Sequence, residues 1–296
     1  MLTTTVMATT GKVLIAPAMN TNMYKNPILQ RNINTLKELG YNFVNPESGR
    51  LACGDVGEGK LASPETIVNE VVDLLNNNNK DLQGKKIMIT AGPTVESIDP
   101  VRYITNRSTG KMGYAIAKMA ADRGADVTLV TGPTSITPPS NIKKLIKIQS
   151  AEDMYNAIID NFDENQVIIK SAAVADYKPK TYSNKKIKKS NDDLIIELDR
   201  NKDIAYELGK IKKDKILVGF AAETNDLIEN AKTKVKKKNL DFIVANDLTE
   251  EGAGFGTDTN IVKIIDKEGN IDKYPQMKKD EVANVILDKV KSLLEK

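Results

Sequence analysis

The chain has 296 residues, 40% of them apolar and 28% charged, with a net charge of +3, one cysteine, no histidine and no tryptophan. That length accommodates one large domain or two smaller ones, and the nearly balanced charge argues against a nucleic-acid or membrane-surface protein. A single cysteine excludes an internal disulfide framework, and without histidine no imidazole can act as acid, base or metal ligand.

Residues 1–19 carry one charge, Lys12, and are interrupted by Gly11 and Pro17. This lacks the basic start and apolar core of a signal peptide. No apolar run approaches the length of about 18 residues that a membrane helix needs, so a cytoplasmic protein is expected. KVLIA (12–16) reads as a buried strand stopped by Pro17. NPILQRNINTLKELG (26–40) sets Ile28, Leu29, Ile33, Leu36 and Leu39 at helical spacing, with Gly40 as the stop. YNFV follows as a short strand, and residues 45–63 read as glycine-rich and irregular. SPETIVNEVVDLL (63–75) opens on Ser63 as N-cap and Pro64 at the first helical position. The polar run NNNNKDLQG then suggests a boundary. The expected domains are 1–78 and 85–296, joined by a linker at 79–84.

KKIMITA (85–91) reads as a buried strand, followed by a long loop to about residue 109. GKMGYAIAKMAADRGA (110–125) is an alanine-rich helix stopped by Gly124, and DVTLVTGP (126–133) is a second buried strand. A helix at 151–164, strand QVIIKSAAVAD, a lysine-rich irregular region and a helix at 203–211 follow. Strand ILVGFAAE, a helix at 225–239, strand DFIVAND, a hairpin around NIVKIIDKEGNIDKY and a helix at 279–295 complete the chain. Continuous apolar strands alternating with helices predict an α/β fold: a Rossmann-like parallel sheet with helices on both faces and a small hairpin extension.

The stretch RSTGKMG (107–113) tests two phosphate-binding templates and fits neither. A P-loop would need glycine at 105 and Ser or Thr at 112, where Thr105 and Met112 stand. A dinucleotide fingerprint would need G-x-G-x-x-G after the first strand and an acid ending the second. The turn is Gly92-Pro93-Thr94 and the second strand ends LVTGP. Ser108, Thr109 and Gly110 nevertheless precede a helix whose first amides lack partners, which suits an anion. An ordinary Ser/Thr cap with a surface Lys111 explains the same residues. The preceding loop lies at the carboxyl end of a parallel strand, where open α/β sheets place ligands.

Several segments in order, TAGPTVESIDPVRYITNRSTGKMGYAIA, SAAVADYKPK, KKIKKS, GFAAET and ANDL…GFGTDTN, resemble the phosphopantothenate–cysteine ligase half of bifunctional bacterial coenzyme A enzymes over residues 84–296. Upstream, VLIAPAMNTNMY and GRLACGDVGEGK resemble the C-terminal end of the flavin-dependent phosphopantothenoylcysteine decarboxylase half. The resemblance implies that 4′-phosphopantothenate attacks CTP to give an acyl-cytidylate, which the amine of cysteine then captures. It places Lys186 on the triphosphate and Asn106 at the reacting acyl group. It sets Ser171, Ala172, Asp203, Ile204, Phe220, Lys234 and Lys238 around CTP, and Asp176 beside the nucleotide with Mg²⁺. Asn106, Ser108, Thr109 and Gly110 form the substrate side. In the upstream half it makes Asn20 a substrate contact and Cys53 a proton donor. That half normally binds FMN and carries a histidine. The short upstream segment without histidine therefore sets the expectation of a truncated decarboxylase half, no decarboxylase activity and no FMN bound. The implied assembly is a homodimer through the ligase domain, with no nucleic-acid or membrane partner. Two alternatives stand beside it: a contribution to decarboxylation through Asn20 and Cys53, and a nicotinamide or flavin oxidoreductase. A lysine-rich scaffold or nucleic-acid binder is a third, although no aromatic residues interleave the run KTKVKKKNL.

Overall fold

The computed structural model describes residues 2–50, 56–75, 80–189, 193–223, 227–247, 254 and 256–295. The chain divides into two compact units, residues 1–79 and 80–296. In the first, the parallel pair Leu14–Ile15 and Asn42–Phe43 brackets the helix Pro27–Glu38. Asn26 caps that helix by accepting from the Ile28 amide at 2.9 Å, and Pro27 stands at its first position. The helix Pro64–Leu75 opens as its sequence predicts, with Ser63 Oγ accepting from the Thr66 amide at 3.1 Å. The region read as irregular holds an antiparallel pair, Glu47–Arg50 with Val56–Lys60. Glycine makes this pairing compatible with the segment beside it. Gly59 has φ +130°, and a Cβ there would lie 2.2 Å from the Met19 carbonyl oxygen.

The second unit is built on one eight-stranded sheet. Its strands are β1 (Lys86–Ala91), β2 (Asp126–Thr131), β3 (Lys144–Lys147), β4 (Val167–Lys170), β5 (Ile216–Glu223), β6 (Phe242–Asp247), β7 (Val262–Asp266) and β8 (Ile271–Lys273). The helices are α1 (Lys111–Asp122), α2 (Ala151–Asp160), α3 (Ile204–Ile211), α4 (Leu227–Lys237) and α5 (Lys279–Leu294). The sheet runs β3-β2-β1-β4-β5-β6-β7-β8. The six strands from β3 to β6 are parallel, and β7 and β8 add on antiparallel as the expected hairpin. This is the doubly wound arrangement, in which the chain reverses its direction of travel across the sheet between β1 and β4.

Alternate residues of each strand point to opposite faces. Ile87, Ile89, Val127, Val167 and Val218 pack beneath α1 and α5 on one face. Met88, Ile168, Leu217 and Ile243 pack beneath α2, α3 and α4 on the other. Both faces are covered, so the central strands are predominantly apolar. Helix α1 approaches β1 closely because Gly113 has no side chain: a Cβ there would sit 2.6 Å from Ala91 Cβ and 3.0 Å from its Cα.

Further details differ from the sequence reading. The segment expected as a linker at 79–84 enters the second unit from Lys80 onward. Leu82 is fully buried, and Asp81 pairs with Arg123 at 2.7 Å. The strand expected at 166–176 ends at Lys170, because residues 171–175 bond to the turn after β1 instead of continuing a ladder. The helix expected at 151–164 ends at Asp160.

Candidate functional site

The carboxyl ends of β1 and β4 carry a floor of backbone and short polar side chains. The Ala173 amide donates to the Gly92 carbonyl at 3.0 Å, and the Thr94 amide donates back to the Ala173 carbonyl at 3.3 Å. Thr90 Oγ1 accepts from the Ala172 amide at 3.1 Å, and Thr94 Oγ1 from the Ala175 amide at 3.0 Å. The turn at 92–94 is thereby fixed to residues 172–175 across the switch point. Gly110 enters α1 with φ +82°, and a Cβ there would meet the Gly92 amide nitrogen at 3.3 Å. No side chain caps α1. Its first amides therefore keep the anion-binding capacity of a helix start.

Above this floor lies a crevice of about 340 Å³. Ser108, Thr109 and Gly110 line it from the start of α1, and Ser171, Ala172 and Asp176 from the loop after β4. Asp203, Ile204, Phe220, Lys234 and Lys238 close the remaining side. Lys238 and Asp203 form an ion pair at 2.9 Å. Burial opposes ionisation of Asp203, but Lys238 and the Tyr206 amide outweigh it and hold the carboxyl below the usual carboxylate range. Asp203 also caps α3.

Asn106 stands beside the crevice. Its Nδ2 donates to the carbonyls of Ala173 at 3.2 Å and Val174 at 3.1 Å, which fastens the loop before α1 to the floor. Lys186 does not line the crevice. It is exposed, on an arm whose attachment is one residue further along. There the Ile187 amide donates to Asp99 at 3.1 Å, and Arg102 donates to the Ile187 carbonyl at 3.2 Å. Asp99 is itself buried. Burial would raise its pKa, yet the amides of Val101, Arg102 and Ile187 hold it below the usual range.

The crevice also contains residues the motifs did not single out. Lys170 lines it at the end of β4. Burial and the repulsion of Lys238 push its ammonium down to about 8, against the pull of Asp203 and Asp176. Lys279 lines it too and donates to the carbonyls of Gly254 and Thr257. Burial and Lys111 lower its pKa, partly offset by Asp258. Asn246 and Asn260 each present a buried side-chain oxygen with no hydrogen-bond partner among the described residues. The signal for Lys170 was a lysine breaking an apolar run at a strand's carboxyl end, in VIIKSAAVAD.

No group of three or more Asp, Glu, Cys or His side chains that could hold a metal exists among the described residues. Asp176 is a carboxylate that lines the crevice. In the first unit, Asn20 caps the short helix Thr21–Tyr24, accepting from the Asn22 amide at 2.8 Å. Cys53 lies outside the described residues. Only Ile33, Val44 and Ala62 are buried apolar residues among those described in this unit.

A doubly wound sheet with a cation-lined crevice at its switch point is the arrangement of α/β proteins that hold phosphorylated ligands. Residues 82–294 match the family described as DNA/pantothenate metabolism flavoprotein C-terminal domain, and residues 1–76 match the flavoprotein family. The chain is 49% identical over 294 residues to the coenzyme A biosynthesis bifunctional protein CoaBC of Bacillus subtilis, covering 99% of this chain and 72% of that protein. It is 47% identical to a cysteine/cysteine sulfinic acid decarboxylase from an unknown prokaryotic organism, covering 99% of this chain and 83% of that one. The crystal structure of the C-terminal domain of a CoaBC protein superposes with a TM-score of 0.64 at 44% identity, covering 73% of this chain and 98% of that domain. The chain belongs to the family of bifunctional coenzyme A biosynthesis proteins, with a flavoprotein segment followed by the C-terminal domain. The flavoprotein match over 1–76 also leaves the expected absence of decarboxylase activity without support.

Among the described residues, no helix is long and apolar enough to cross a membrane.

Proposed function

We propose that the second unit ligates 4′-phosphopantothenate to cysteine at the expense of CTP. The observation that carries this reading is the crevice itself. Lysines 170, 234, 238 and 279 converge on the uncapped start of α1, beside two buried amide oxygens that await donors. Such a cavity suits a polyphosphate together with a base that carries an amino group.

In the first step a carboxylate oxygen of phosphopantothenate attacks the α-phosphorus of CTP, and the bond to the β-phosphate oxygen breaks, releasing pyrophosphate. In the second, the amine of cysteine attacks the acyl carbon, CMP leaves with the bonding electrons, and the amine loses a proton. Lys186 stabilises the charge that develops in the first step, which requires its arm to reach the nucleotide. Asn106 positions the acyl group, and Ser108, Thr109 and Gly110 hold the substrate side. Ser171, Ala172, Asp203, Ile204, Phe220, Lys234 and Lys238 contact the nucleotide. Asp176 would hold Mg²⁺ with the triphosphate, a cation that supplies charge neutralisation there. The protein acts in the cytoplasm as a homodimer formed by this unit.

A second activity is favoured by the match of residues 1–76 to the flavoprotein family. The first unit contributes Asn20 and Cys53 to an FMN-dependent decarboxylation of phosphopantothenoylcysteine. The ligase reading is tested by incubating the whole chain with phosphopantothenate, cysteine, Mg²⁺ and either CTP or ATP. One CMP and one pyrophosphate per amide formed is the expected yield, with CTP preferred. No pyrophosphate from either nucleotide would end the reading.

A further inference from the structure

Lys170 is a crevice cation with no counter-charge of its own. It occupies the last position of β4, in register with Thr90 of β1, directly at the switch point. The other lysines around it are engaged. Lys238 pairs with Asp203 at 2.9 Å, and Lys111 with Asp258 at 2.6 Å. Lys279 is held by two backbone carbonyls. Among the described residues Lys170 makes no ion pair and no hydrogen bond, although its side chain is packed into the crevice wall. A half-buried ammonium without a partner loses part of its hydration at a cost. An anion arriving with the ligand would repay that cost. The same cavity receives the start of α1 and two further lysines from α4 and its end, Lys234 and Lys238. Several positive groups along one cavity match a chain of phosphates better than a single carboxylate.

We propose that Lys170 engages the phosphate chain of the bound nucleoside triphosphate and supplies a large share of its affinity. This rests on the nucleotide reading and deepens it. The cation that holds the phosphates in the resting crevice is Lys170, whereas Lys186 must be brought in by its arm.

The test is calorimetric titration of the whole chain at pH 7 with inorganic tripolyphosphate, CTP and cytidine. Wild type is compared with Lys170→Met and Lys170→Arg. Methionine keeps the apolar stem and removes the charge. The expected loss in Lys170→Met is about tenfold or more for tripolyphosphate and CTP, with cytidine unchanged. Lys170→Arg should restore most of the affinity and controls for damage to the fold. Tripolyphosphate binding by Lys170→Met equal to wild type would overturn the inference, as would a wild type that does not bind tripolyphosphate. The ligase reading fails separately. A wild type that binds tripolyphosphate through Lys170 but releases no pyrophosphate from CTP would defeat the ligase and leave this inference standing.

Discussion

The crevice at the switch point and the lysine-rich arm at 184–189 hold cations in opposite ways. In the crevice, Lys170, Lys238 and Lys279 stand on elements locked by the sheet, and two of the three are engaged by protein groups. On the arm, Lys185, Lys186, Lys188 and Lys189 are exposed, and what fastens it is backbone: Ile187 to Asp99 and Arg102, and the Lys185 carbonyl to Ser183. A rigid crevice can bind a polyanion before chemistry begins. An arm whose lysine side chains lie outside the crevice can deliver a charge only when it moves in. The difference separates binding from turnover, and each prediction below sets one region against the other.

Lys186→Gln should lower turnover the most, by about 100-fold or more, while tripolyphosphate affinity and melting temperature stay at wild-type values. Single-turnover kinetics beside titration would show this split. A parallel loss of affinity would place Lys186 in the resting crevice and collapse the contrast. Gly209→Ala should act on the crevice alone. A Cβ there would lie 2.0 Å from the Lys238 carbonyl oxygen, so α3 and the end of α4 must separate. Overpacking of this kind costs about 1–3 kcal/mol, and thermal melting should register it together with weaker nucleotide binding. Asp99→Asn should act on the arm. We expect turnover to fall about tenfold, and to fall no further when the change is added to Lys186→Gln. An additive loss in that double variant would mean that Asp99 does not work through the arm.

The smallest effect concerns pH. The Lys170 ammonium, pushed down to about 8 by burial and Lys238, loses its charge as pH rises through that value. The charged groups that line the crevice with it are Lys111, Asp176, Lys202, Asp203, Lys234, Lys238 and Lys279. Between pH 7 and pH 9 the affinity of wild type for tripolyphosphate should drop about tenfold relative to Lys170→Arg, which cancels titration of the ligand itself. The sign for stability is the reverse of that for binding. A lysine whose folded pKa lies below its unfolded value costs stability below about 8, and the cost fades as pH climbs toward the unfolded value. Lys170→Met should therefore raise the melting temperature of the ligand-free protein at neutral pH, by about 2 °C.

Much of the fold was legible because parallel strands buried on both faces leave continuous apolar runs, as in KIMITA, DVTLVT and VIIK. A helix start was legible where a capping residue stood before proline, as at Ser63. The strand Lys144–Lys147 was not, because three of its four residues are exposed and it carries two lysines. Nor was the pair Glu47–Arg50 and Val56–Lys60, where glycines that read as loop allow close approach. Leu82 looked like part of a polar run, and only tertiary packing buries it. In the site, the residues assigned to the nucleotide came from motif resemblance, and the structure lines one cavity with all of them except Lys186. Lys170 was missed because its setting depends on Lys238 and Asp203, which are distant in sequence. Lys186 was assigned by its motif, but its place outside the crevice lining is a property of the arm that no local pattern encodes.

The most direct test of a two-step ligase at this crevice withholds the second substrate. Wild type mixed with phosphopantothenate, CTP and Mg²⁺ but no cysteine should release one pyrophosphate per site in a burst and then stop. Cysteine should restart turnover with matched CMP release. Pyrophosphate release that is absent, or that continues without phosphopantothenate, would contradict the account.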